Sequence, residues 1–156
     1  MSKLIYGITV WGFNLTKEEI RKLQVLQNKC FRLITHSGYD TPRIVLLKKC
    51  KKLSVKQLIT YHTACQTFRI NLSKYPTYHH RKLFISENGN LPGTRSQQHC
   101  LANKIDYKLA VSRNQFFYQA SNIWNNLPVQ MKRTPKIDTF KKQEQMFSSR
   151  DRSANI

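Results

Sequence analysis

TKEEIRKLQVLQNKCFRLIT, residues 16 to 35, and LSVKQLITYHTACQTFRINL, residues 53 to 72, decide the fold class. Each carries a hydroxyl residue followed three positions later by Glu or Gln: Thr16 with Glu19, and Ser54 with Gln57. In that arrangement the hydroxyl accepts from a backbone N–H in the first helical turn, and the longer side chain reaches back to the cap's own N–H. Two groups that a helix start leaves without partners are thereby satisfied. Leu15 with Ile20, and Leu53 with Leu58, are spaced to staple the incoming chain across each cap. The two stretches therefore predict helices over about 16–35 and 54–72.

Apolar residues follow with the helical period. Ile20, Leu23, Leu26, Cys30, Phe31 and Ile34 form the stripe of the first helix, with Lys17, Arg21, Lys22, Lys29 and Arg32 mostly off it. Val55, Leu58, Ile59, His62, Cys65 and Phe68 form that of the second, where His62 reads as a satisfied core histidine. Cys30 and Cys65 on these stripes are expected as small buried hydrophobes. Gly38 is the expected stop of the first helix. Between the two, Thr41-Pro42 marks the start of a third helix, and KKCKK at 48–52 places positive charge at its carboxyl end, where the helix dipole favours it. Short connections among three helices indicate a small bundle.

Outward from this core the pattern changes. Residues 4–13, LIYGITVWGF, suit either a strand or a helix end. Residues 73–102 are polar and contain Pro and Gly, which predicts a long loop with a short strand at 82–86 and a turn at 87–90. Tyr75, Tyr78, His79, His80, Arg81, Arg95 and His99 mix aromatic faces with positive charge there, as stacking on a splayed base with phosphate contact requires. Helices are expected again at 115–126 and 137–147, ahead of a polar tail at 148–156 that should fray. Trp124 reads as structural at a helix end stopped by Pro128, with Asn125 or Asn126 bonding exposed carbonyls. Trp11, Phe116 and Phe117 read as core aromatics. The expected fold is mainly α: a short three-helix bundle in residues 1–72, a basic and aromatic loop in 73–102, and two further helices in 103–147.

Charge sets the function class. The 156 residues carry 27 Lys and Arg against 8 Asp and Glu, a formal net charge of +19. Such a surplus repels itself when compact, and a polyanion relieves the repulsion. No acid occurs from Thr41 to Ser86. Arg43, Lys48, Lys49, Lys51, Lys52, Lys56, Arg69, Lys74, Arg81 and Lys82 all fall in that interval, and with Arg95 they are the candidate nucleic-acid contacts. RNA, DNA or their hybrid are the expected partners; a small-molecule substrate and a cofactor are not expected. The four cysteines, Cys30, Cys50, Cys65 and Cys100, lack the tight hooks of a zinc ribbon. His79-His80 with His99-Cys100 lacks a recognised ligand spacing, so no metal site is expected. The amino-terminal apolar run is too short and interrupted for a signal peptide or a membrane span, and an intracellular location, cytoplasmic or nuclear, is expected.

Six elements, in order, resemble the post-palm region of jockey-like non-LTR retrotransposon reverse transcriptases: YGITVWG at 6–12, KLQVLQNKCFRLIT at 22–35, LSVKQL at 53–58, TRS at 94–96, IWNNLP at 123–128 and TFKKQ at 139–143. The resemblance extends from Leu4 to Met146. It implies the end of the thumb and the region after it, which supports template and primer handling and does not supply the polymerase carboxylates. A polymerase palm in trans is a further partner it implies.

The residues agree with a non-enzyme. Two-metal phosphoryl transfer needs paired carboxylates. Among Glu18, Glu19, Asp40, Glu87, Asp106, Asp138, Glu144 and Asp151 the one adjacent pair belongs to a helix start. The zinc knuckle of some related elements is also missing, and with the catalytic part absent the chain reads as a truncated or domesticated element copy, or as a mispredicted gene. The expected function is non-catalytic, sequence-independent nucleic-acid binding; the competing reading is a fragment that docks on a missing palm.

Overall fold

The computed structural model describes residues 5–85, 99–109 and 111–150. Eight α-helices and two 3-10 turns occur among them, and the molecule is mainly α. The helices are α1 (Ile8–Trp11), α2 (Lys17–Thr35), α3 (Arg43–Lys49), α4 (Val55–Ser73), α5 (Thr77–Phe84), α6 (Phe116–Asn126), α7 (Val129–Lys132) and α8 (Ile137–Arg150). The 3-10 turns are Gly12–Asn14 and Val111–Asn114.

Both predicted capping boxes are formed. Thr16 accepts from the Glu19 N–H and the Glu19 carboxylate accepts from the Thr16 N–H; Ser54 and Gln57 repeat the arrangement at α4. Removing such a cap costs about 1 kcal/mol. The helix ends are less conventional. α2 stops on His36, α3 on Lys51 after its Cys50 cap, and α4 on Lys74, all with φ between 47° and 56°. After α2 the Ser37 N–H donates to the Arg32 carbonyl, and after α3 the Lys52 N–H donates to Leu47, each closing the helix in a left-handed turn. Gly38 is therefore not the stop of α2; His36 takes that backbone conformation two residues earlier.

α4 is the central helix. Val55, Leu58, Ile59, Thr63, Ala64, Cys65, Thr67, Phe68 and Ile70 are buried, so it is covered round most of its circumference. The buried hydroxyls of Thr63 and Thr67 donate to the carbonyls of Ile59 and Thr63, one turn back, and need no other partner. On one side α4 shares a core with α6, α7 and α8: Ala64, Cys65 and Phe68 pack with Trp124, Leu127, Met131 and Phe140. Phe68 stacks on Phe140 at 4.3 Å between ring centres. On the other side Ile8 of α1 joins Leu53, Val55, Leu58 and Ile59. Gly12 lies so close to α4 that a Cβ there would stand 2.9 Å from Ile59, which restricts the position to glycine.

α2 is turned differently from expectation. Its buried residues are Gln24, Gln27 and Phe31, whereas Leu26 and Ile34 of the predicted stripe are 56% and 70% exposed and Cys30 is exposed as well. Gln24 Oε1 accepts from the Val55 N–H at 3.0 Å, Gln27 Nε2 donates to the Leu53 carbonyl at 3.0 Å, and Gln24 Nε2 donates to Gln27 Oε1 at 2.8 Å. Two glutamines thus clasp the start of α4, and this polar clasp outweighs the apolar period in fixing the helix's rotation. Phe31 completes the contact with Leu46 and Leu47 of α3.

The predicted loop over 73–102 is shortened by α5, and residues 82–84, expected in a strand, are helical. α5 is held by tertiary contacts: Leu83 is fully buried with Ile70 and Ala120, and the His79 ring lies 5.1 Å from Phe117. The turn expected at 87–90 lies outside the described residues. α8 continues to Arg150, three residues past the expected end.

Candidate nucleic-acid interface

The cations selected from sequence fall into separate groups. Arg43, Lys48, Lys49, Lys51, Lys52, Lys56, Arg69, Lys74 and Arg81 are exposed and Lys82 is half-buried; Arg95 lies outside the described residues. Lys48 to Lys52 are gathered by the end of α3, where the left-handed Lys51 reverses the chain. Lys56 and Arg69 sit thirteen positions apart on α4, roughly 140° around its axis, so the field is not one face. Lys82 has a structural contact, its ammonium 4.5 Å from the centre of the Phe117 ring. Outside the field, Arg21 pairs with Glu18 and Lys141 with Asp138.

The surface where charge meets concavity lies along α4. A cleft of about 180 Å³ is lined by Lys52, Leu53, Leu58, Tyr61, His62, Ile5 and Gln145. Beside it a cleft of about 550 Å³ is lined by Thr9, Tyr61, His62, Gln66, Arg69 and Lys141, among others. Tyr61 and His62 belong to both, so the two form one groove with Lys52 at one end and Arg69 and Lys141 at the other. The Tyr61, His62 and Cys65 side chains of its floor are uncharged at neutral pH. Burial pushes the Tyr61 phenol up to about 12 and the Cys65 thiol up to about 11, and the buried Glu144 nearby adds to both. Burial, then the neighbouring Arg69, holds His62 below its ordinary value. The Tyr61 and His62 rings meet edge to face at 5.2 Å. Cationic ends over a neutral aromatic floor can hold phosphates and receive a base between them.

Of the selected residues, the groove unites Lys52 and Arg69 and leaves the rest outside. Tyr61, Gln66 and Lys141 carry no signal of such a site in the sequence, and His62 there fits a core histidine. Tyr61 and His62 follow the apolar stripe of α4, and only the course of α1 and α8 beside it turns them into a floor.

Of the rings in the expected stacking loop, His79 and His80 are half-buried and used in packing, whereas Tyr75, Tyr78 and His99 remain exposed. Tyr78 and His79 lie against Phe117, and His80 lies 5.6 Å from Phe84. Trp124 is buried, its indole N–H donating to the Cys100 carbonyl at 2.8 Å, and Asn125 pairs with both backbone groups of Ala102. Among the described residues no group of three or more His, Cys, Asp or Glu is placed to hold a metal ion. No described helix is long and apolar enough to cross a membrane. Comparison with protein-family models, with curated proteins and with solved structures gives no match for this chain.

Proposed function

We propose that this chain binds RNA, DNA or their hybrid through the phosphate backbone, without reading sequence and without catalysis. The observation that carries the reading is the α4 groove, with Lys52 at one end, Arg69 and Lys141 at the other, and Tyr61 and His62 between them. The +19 surplus supports it, because 8 carboxylates cannot neutralise 27 cations from within. Lys48, Lys49 and Lys51 extend the positive surface from the Lys52 end along the close of α3. The reading includes descent from the post-palm part of a non-LTR retrotransposon RNA-directed DNA polymerase, on the strength of the sequence resemblance. Phosphates supply the affinity, and the ring floor accepts any base face.

A salt titration tests it. Wild type, the variant with Lys48, Lys49, Lys51 and Lys52 all changed to Ala, and Arg69→Ala are compared on single-stranded RNA, duplex DNA and an RNA:DNA hybrid. Each phosphate that a variant no longer neutralises should lower the log-log salt slope by roughly 0.7 to 0.9. Both variants should bind all sequences more weakly by similar factors. Affinities and slopes equal to wild type on all three ligands would defeat the proposal. Primer extension with Mg²⁺ and deoxynucleotides by homogeneous protein would defeat its non-catalytic part.

A further inference from the structure

The outward face of α2 has no role in the groove. Leu26, Cys30, Leu33 and Ile34 follow at positions i, i+4, i+7 and i+8, which places them on one side of a helix. Leu33 is 77% exposed, and Leu26 and Ile34 are 56% and 70% exposed. Their exposure is built in: turning this stripe inward would break the Gln24 and Gln27 bonds to the backbone at Leu53 and Val55. The stripe extends about 12 Å along the axis, the reach of two helical turns.

One edge of the stripe is basic. Lys22 and Lys29 each stand four positions before a leucine, Leu26 and Leu33, and so lie beside them on the same face. Glu18 lies 3.8 Å from Arg21, and Glu19 is held in the Thr16 cap with Lys22 also favouring its charge, while Lys29 has no acid within four positions along the helix. A second copy would set one +19 chain against another, with lysines facing lysines if the helices ran antiparallel, the arrangement in which like edges meet. A nucleic acid would answer the charge but offers no aliphatic stripe. We propose that this face docks an amphipathic helix of another protein, whose apolar stripe is edged by carboxylates. The seam buries the leucines, and the carboxylates meet Lys22 and Lys29.

The probe is a labelled designed helix of about three heptads, with Leu at a and d and Glu at e and g, titrated into the full chain. Saturable binding is expected, with slowed alkylation of Cys30. Leu26→Ser/Leu33→Ser should weaken binding more than about tenfold, as truncated central anchors do, while lowering the melting temperature by only about 2 to 4 °C through helix propensity and leaving the affinity for single-stranded RNA unchanged. Lys22→Glu/Lys29→Glu should switch preference to a peptide edged by Lys. Three results would overturn the proposal: equal binding of a peptide of the same composition in scrambled order; variants that bind the probe as wild type does; or self-association in sedimentation that the leucine variant abolishes, which would make a second copy the occupant. Loss of RNA affinity in the leucine variant, with peptide binding retained, would assign the face to nucleic acid.

Discussion

Replacing Gln24 by Met tests whether a polar clasp sets the rotation of α2. Methionine keeps the length and nearly the volume of the side chain, so packing is held roughly constant. The substitution removes the acceptor for the N–H of Val55, a fully buried residue, and the donor to Gln27 Oε1. Each orphaned buried group costs about 1 to 3 kcal/mol. Relaxation recovers part of this, since Gln27 can turn its amide, so a net loss of about 2 to 3 kcal/mol is expected. For a chain of this size each kcal/mol lowers the melting temperature by about 2 to 4 °C, so a fall of about 4 to 12 °C should be seen. Gln27→Met removes the donor to the Leu53 carbonyl and should cost about 1 to 3 kcal/mol. The double variant should lose less than the sum by about 1 kcal/mol, because the Gln24 to Gln27 bond disappears only once. Urea and thermal unfolding of the four proteins measure the cycle. If Gln24→Met were neutral or stabilising, the clasp would not orient the helix, and the exposure of Leu26 and Leu33 would need another cause.

Three further outcomes follow from the same structure. Trp124→Ala should cost about 3 to 5 kcal/mol in unfolding experiments, since it empties a fully buried site and removes the donor to Cys100; a loss below about 1 kcal/mol would show the shared core of α4, α6 and α8 to be misassigned. His62 and His80 are both held below the ordinary histidine value of 6.5 by burial, with positive neighbours adding to it, so the unfolded chain takes up protons first. Stability contributed by neutral imidazoles is therefore present above about 6.5 and lost as pH falls through that value toward the lower folded ones; His62→Asn should flatten this part of a stability against pH profile. In alkylation with mass-spectrometric readout, exposed Cys30 should react first and Cys65, buried and pushed up to about 11, last; early modification of Cys65 would contradict its place in the core.

Local chemistry was legible in the sequence and long-range geometry was not. The capping boxes at Thr16 and Ser54 depend on residues three apart, and both formed where the spacing put them. The stop of α2 was misplaced because left-handed conformations are expected of glycine, yet His36, Lys51 and Lys74 adopt them without one. The predicted stripe of α2 assumed that apolar residues turn inward; two glutamines with partners 26 and 31 residues away decided otherwise. α5 escaped notice because Thr77 to Phe84 are middling helix formers whose stability comes from Ile70 and Ala120 against Leu83. Most of the described cations of the basic field are exposed, Lys82 being half-buried against Phe117, but charge along the chain does not say which cations share a cleft. Tyr61, His62 and Lys141 meet only after α8 folds back beside α4.

Asn103 gives one part of the chain a practical use. Its backbone N–H donates to the Leu83 carbonyl at 2.7 Å, and its amide donates to the carbonyls of Lys82 and Ile85, closing the end of α5. The strand of chain that leaves α5 and the one that returns are thus tied at a common anchor, whatever length of sequence joins them. The anchor is a single handle on two segments eighteen residues apart in sequence: Asn103→Ala should loosen the end of α5 and the chain beside Asn103 together, which hydrogen exchange reads at both places.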